Sequence, residues 1–123
     1  MTTHLPVMLG PELRAFTPFR LRGLELRNRV IKSATFEGMS PGGRASAALV
    51  EHHAALARGG VGMTTVAYAA VESSGRTFAE QLLLDDAQVE RLRPLTAAVH
   101  QHGGAASIQL AHCGGFTKYR APG

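Results

Sequence analysis

Cysteine is nearly absent from this chain: Cys113 stands alone among 123 residues, which excludes an internal disulfide framework and fits a reducing cytosol. Long apolar runs are missing too. No uninterrupted apolar stretch reaches membrane-spanning length, and the opening "MTTHLPVMLGPEL" has neither a charged lead nor a long apolar core, so the sequence reads as that of a soluble cytoplasmic protein with no membrane partner. Low-complexity tracts, charge blocks and internal repeats are also lacking. What remains is ordinary globular composition, 45% hydrophobic and 18% charged, at a length that fits one domain at most.

Thirteen basic residues against nine acidic ones give a formal charge of +4 and a pI near 10.0, a balance that raises the question of a polyanionic partner. The basic residues are scattered, however. Their densest group, "RLRGLELRNRVIK", interleaves Arg20, Arg22, Arg27, Arg29 and Lys32 with apolar residues, as on the wet face of a hairpin. No nucleic-acid partner is expected.

Periodicity gives the organisation. In "FTPFRLRGLELRNRV" the residues Phe19, Leu21, Leu24 and Leu26 flank Gly23, the pattern of a short β-hairpin. A strand over 30–35 follows and stops at "FEGMSPGGR", whose glycines and proline mark a loop. Ser46 is a good N-cap for a helix that puts Leu49, His53 and Leu56 on one stripe and ends at Gly59 and Gly60. The β-branched residues of "VGMTTVAYAAV" predict a second strand over 61–67. A second helix starts at Asp85, with Gln88 placed to reach back to the cap, and runs to Gly103 and Gly104; Pro94 inside it predicts a kink or a distorted first turn. The third strand is "AASIQLA", expected over 105–110.

Strand, helix, strand, helix, strand with short connections is α/β architecture built from parallel βαβ units, with both helices on one side of the sheet. Ligands in such sheets gather at the C-terminal strand ends. Thr35 to Glu37, Ala67 to Ala69 and Gln109 to Gly115 therefore belong to one rim. The third strand ends abruptly in "QLAHCGG", polar groups that a buried strand has no use for unless something hydrogen-bonds them.

Histidine and cysteine near this rim raise two sharper possibilities. A Cys113–His112 nucleophile and a zinc site built from His52, His53, His100 and His102 are both set aside, because no CxxC or HxxxH spacing exists and adjacent helical histidines should diverge. No metal site is expected, and His112 is assigned to loop support. The glycines of "GGVG" and "CGG" do not make a dinucleotide fingerprint.

Four segments, "FTPFRLRGLELRNRVIKSAT", "EHHAALARGGVGM", "AVHQHGG" and "IQLAHCG", occur here in the order and spacing of the N-terminal part of the Old Yellow Enzyme family. The chain resembles that family, the NADH:flavin oxidoreductases and FMN-dependent ene-reductases, from Phe16 onward. The resemblance implies strands 1–3 of a (β/α)8 TIM barrel preceded by the hairpin. On that basis residues 1–123 form a partial FMN-binding barrel domain, a fragment with residues 1–15 as an N-terminal extension. It also implies a flavoprotein oxidoreductase that takes hydride from NADH or NADPH through FMN to a small-molecule acceptor, an activated alkene or related compound. Acceptor-binding histidines, the proton-donor tyrosine and the phosphate loops lie downstream in the family. No catalytic residue is therefore expected in this chain, and the fragment by itself is expected to be inactive.

By the same resemblance, Gln109 faces the flavin pyrimidine edge, where an amide supplies both donor and acceptor; the alternative is a glutamine bonding neighbouring backbone. Ser33, Ala34, Thr35 and Phe36 correspond to the segment that runs beside the flavin. Phe36 stands where many members have threonine or cysteine, and it can neither donate nor accept; Thr35 either substitutes for it or both residues simply pack at the barrel top. Ala67 corresponds to the small residue that lets backbone approach the ring. The other reading of the whole chain is a non-catalytic α/β module that pairs with a partner chain through its open sheet edge.

Overall fold

A computed structural model describes residues 13–120. The N-terminal extension expected over 1–15 thus lies mostly outside the described residues, as do the last three residues. Arg14–Phe16 forms a single 3-10 turn, and β1 (Phe19–Leu21) pairs antiparallel with β2 (Leu24–Leu26) across a turn whose Arg22 has φ 52°. The chain then builds a three-stranded parallel sheet in the order β3 (Ile31–Lys32), β4 (Met63–Ala70), β5 (Ala105–Ala111). Helices α1 (Ala47–Arg58) and α2 (Asp86–Gln101) make the two crossovers.

Both helices cover the same face. Leu49 and Ala57 of α1, Leu95 and Val99 of α2, and Val66 and Ala69 of β4 form one buried cluster with Leu82. Strand alternation explains the sorting: residues i and i+2 share a face, so Ala106 and Ile108 join the helical core while Ser107 and Gln109 stand on the opposite face. On that opposite face the hydroxyls of Thr65 and Ser107 are 2.7 Å apart. The face is largely open.

Local signals place the helix starts. Ser46 Oγ accepts the Leu49 N–H at 3.2 Å, and Asp85 Oδ1 accepts the Gln88 N–H at 3.1 Å. The side chain of Gln88 departs from expectation: its Oε1 accepts the Ala45 N–H at 3.0 Å, tying α2 to the segment entering α1 instead of closing its own cap. Pro94 does not break the helix. α2 runs on through it, and because Glu90 and Pro94 are exposed, water can serve the carbonyl that the missing N–H leaves free.

Strand boundaries shift for long-range reasons. β3 pairs only at Ile31 and Lys32, rather than over 30–35, because the chain leaves the sheet at Ser33. β4 begins at Met63, not Val61, because Gly60 (φ 104°) and Gly62 complete the turn out of α1; a Cβ on Gly62 would lie 2.5 Å from the Asn28 carbonyl oxygen.

The N-terminal ends of the strands are tied by one side chain. Arg27 Nε and Nη2 donate to the Val61 carbonyl at 3.1 and 2.8 Å, Nη2 also to Ala57, and Nη1 to His102. One cation therefore sits at the C-terminal ends of both helices, where the exposed carbonyls favour positive charge. Asn28 Nδ2 donates to the Gly60 carbonyl at 2.6 Å and completes the tie.

Candidate functional site

At the opposite end of the sheet, the expected rim is assembled from three chain segments. After Lys32 the backbone crosses the rim as Ser33, Ala34, Thr35 and Phe36, of which Ser33, Thr35 and Phe36 are exposed. β4 and β5 keep register from Met63↔Ala105 to Val66↔Ile108, lose it, and resume at Ala69↔Leu110. Ala67 and Tyr68 thus stand opposite the single residue Gln109, a β-bulge, the kind of irregularity that re-aims backbone beside a site. Sequence reasoning singled out Ala67 and Gln109 but not the bulge between them.

Gln109 is exposed, on the same face as Ser107 and Thr65, and among the described residues no partner holds its amide. Ala67 is buried. Phe36 packs at the rim, stacked on Phe78 with ring centroids 5.0 Å apart and edge-on to Tyr68 at 5.9 Å. His112 supports its loop: Nδ1 accepts the Gly114 N–H at 3.1 Å, and its ring lies so close to Gly75 that a Cβ there would sit 2.5 Å from Cδ2.

Beneath the rim lies a polar cluster that the sequence reading missed. Glu37 Oε1 accepts the Ala67 N–H at 3.0 Å, lies 3.1 Å from His53 Nε2 and 3.7 Å from Lys32 Nζ. His53 Nδ1 is 2.7 Å from Thr64 Oγ1, and both residues are fully buried. With Nε2 facing a carboxylate it must carry hydrogen, so in the neutral ring Nδ1 accepts from the threonine hydroxyl. Burial pushes the Glu37 carboxyl upward, but hydrogen bonds from His53 and the Ala67 amide outweigh it, and the carboxyl titrates below its ordinary value. The signal available in the sequence was His53 itself, a polar residue on the apolar stripe of α1, which demands a buried partner.

The expectation that His52 and His53 diverge is wrong. Their rings meet edge-to-face at 5.1 Å, and Glu37, His52 and His53 offer donor atoms within 4.8 Å of one another, a spacing a metal ion can bridge. Glu37 Oε1 and both nitrogens of His53 are nevertheless already hydrogen-bonded, and the Lys32 ammonium adds positive charge beside them. Burial, His53 and Lys32 all hold the His52 imidazolium below its ordinary pKa.

Glu–His–Thr in this order has the outline of a nucleophilic triad. Thr64 is sealed between β4 and α1, with no exposure through which a substrate reaches it. The cluster joins β3, β4 and α1 from within.

Comparison with known proteins gives the geometry its family. The relatives include a 4,4'-dithiodibutanoate disulfide reductase of Rhodococcus erythropolis, 48% identical over 105 residues that cover 85% of this chain and 26% of that protein. An NADPH dehydrogenase of Bacillus licheniformis is 33% identical over 82% of the chain and 31% of its own length. Among solved structures, morphinone reductase in complex with tetrahydroNAD superposes with a TM-score of 0.76 at 25% identity, covering 84% of this chain and 28% of that one. The Old Yellow Enzyme homologue from Zymomonas mobilis gives 0.72 at 26% identity, covering 80% and 28%. The chain spans between a quarter and a third of the length of these proteins. Residues 14–121 match the family model, and the chain belongs to the NADH:flavin oxidoreductase / NADH oxidase family, whose members are FMN-dependent enzymes using NAD(P)H.

Proposed function

We propose that this chain supplies the first three strands of an FMN-binding (β/α)8 barrel, an oxidoreductase acting on a small-molecule acceptor. One observation carries the reading: Ser33–Phe36, the Ala67–Tyr68 bulge and Gln109 meet at the C-terminal end of one parallel sheet, the end at which such barrels bind ligands. The residues fit a flavin ring. The Gln109 amide has no partner among the described residues and offers the donor and acceptor that a pyrimidine edge needs, while Ala67 is small enough for close backbone approach.

Bound there, FMN would supply the redox chemistry of hydride transfer between NAD(P)H and the acceptor. The contribution of these residues is orientation. Gln109 fixes the ring edge, Ser33 to Phe36 offer backbone and the Thr35 hydroxyl along its side, and Phe36 with Tyr68 and Phe78 forms an apolar wall that limits water at the rim. The open edge of β5, where Leu110 is 59% exposed, is where the next barrel strand pairs.

The acceptor is an activated alkene or related compound. The name of the Rhodococcus relative supports a disulfide as the second candidate. Protein expressed from the complete reading frame is expected to purify with bound FMN that NAD(P)H bleaches, and single-turnover reoxidation by a cyclic enone against an aliphatic disulfide separates the two acceptors. A protein that takes up no FMN refutes the reading.

A further inference from the structure

Lys32 and Glu37 bracket the four residues that cross the rim. Their side chains meet at 3.7 Å, only 18% and 5% exposed, so the segment Ser33–Phe36 is a short loop closed at its base by an ion pair. The same carboxylate oxygen does a second job. β3 stops pairing at Lys32↔Thr64, and the next backbone to meet that edge of β4 is Leu82–Leu84 at Ala70; in the gap between them the Ala67 N–H donates to Glu37 Oε1 instead. An unpaired amide at a buried strand position is costly, so the carboxylate replaces the missing strand. His53, held in turn by Thr64, fixes the carboxylate from the helix side.

We propose that Glu37, clamped by Lys32 and His53, is a positioning residue that holds the Ser33–Phe36 loop and the Ala67–Tyr68 bulge at a fixed separation before the flavin arrives. This rests on the FMN reading above. Glu37 touches no ligand in this account; it acts through the backbone of its two clients. With the clip broken, the rim samples other conformations, and apparent affinity falls by the fraction of time the binding geometry is populated, so a competent population of one tenth weakens FMN binding about tenfold.

The test compares Glu37→Ala, Glu37→Gln and Lys32→Met in protein from the complete reading frame, with amide hydrogen exchange on the flavin-free form and FMN titration on the same preparations. Glu37→Ala is expected to accelerate exchange at Ala67 and across Ser33–Phe36 while leaving α2 and β5 protected, and to weaken FMN binding about tenfold. Glu37→Gln, which keeps an acceptor oxygen without the charge, should lie between it and wild type. Lys32→Met opens the loop base alone, and it carries the test if Glu37→Ala does not fold. Unchanged exchange at Ala67 and Ser33–Phe36 overturns the clip. Local loosening with wild-type FMN affinity overturns the positioning role. A wild type that binds no FMN refutes the functional reading and the positioning role together, and exchange then still decides whether the clip exists.

Discussion

The two ends of the parallel sheet use polar side chains in opposite ways. At the N-terminal end, Arg27 and Asn28 spend their donors on backbone carbonyls of Ala57, Gly60, Val61 and His102, closing both helix-to-strand turns. At the C-terminal end, among the described residues, the buried Lys32 Nζ has its ion pair with Glu37 but no hydrogen bond, Gln109 has no partner, and β4 carries a bulge. One end spends its donors on backbone, while the other combines the hydrogen-bonded Glu37–His53–Thr64 cluster with a Gln109 amide that has no partner among the described residues. In (β/α)8 barrels the bottom face serves stability and the top face carries the ligand site, and the proposed function assigns these two ends to that division.

Arg27→Ala tests the N-terminal end and should have the largest effect. It leaves three carbonyls without their charged donor, and since hydrogen bonds to a charged group contribute about 1.5–3 kcal/mol each, the expected loss is on the order of 3 kcal/mol or more in denaturant unfolding. FMN affinity of the folded protein should not change. A comparable loss of affinity would erase the distinction between the ends.

Gly62→Ala comes next. Its Cβ would stand 2.5 Å from the Asn28 carbonyl oxygen, and backbone cannot rotate away as a side chain can, so a loss of about 1–3 kcal/mol is expected. A neutral result would show that the turn out of α1 is looser than the Arg27 tie implies.

Acid probes the other end more gently. Because Glu37 titrates below its ordinary value of 4.5 in the folded chain, its stabilisation is present above that pH and is lost as pH falls through the lowered folded value. Glu37→Gln has no such carboxyl. Its unfolding midpoint should decline less than that of wild type on acidification below pH 4.5, and parallel curves would mean that the Glu37 charge does not stabilise the fold.

Much of the fold was legible from short-range chemistry. Ser46 and Asp85 cap the helices as their positions in the sequence suggest, and the β-branched run of Thr64 to Val66 lies in β4. Misreadings arose where a partner lies far along the chain. Gln88 closes no box because Ala45, 43 residues away, offers a better donor. β3 is short because the chain leaves the sheet at Ser33, and Glu37 serves Ala67, 30 residues on, in the strand's place. The adjacent histidines meet because His53 is drawn inward to Thr64 and Glu37, and His52 lies against it. The βαβ order alone placed Thr35, Phe36, Ala67 and Gln109 at one rim, but their roles toward a flavin, and the inclusion of Ser33 and Ala34, came from family resemblance, since no local pattern marks a strand end as a flavin edge.

Gln109→Ala is the smallest perturbation of the fold and the most direct test of the central claim, that the C-terminal end of the sheet reads a flavin. Gln109 is exposed and bonds nothing among the described residues, so its removal should leave unfolding unchanged. Titration of FMN into flavin-free wild type and variant, followed by flavin fluorescence, should show affinity falling about 2- to 12-fold for each neutral hydrogen bond lost, at about 0.5–1.5 kcal/mol net apiece. Equal affinities for the two proteins, or a loss of stability without a loss of affinity, would contradict it.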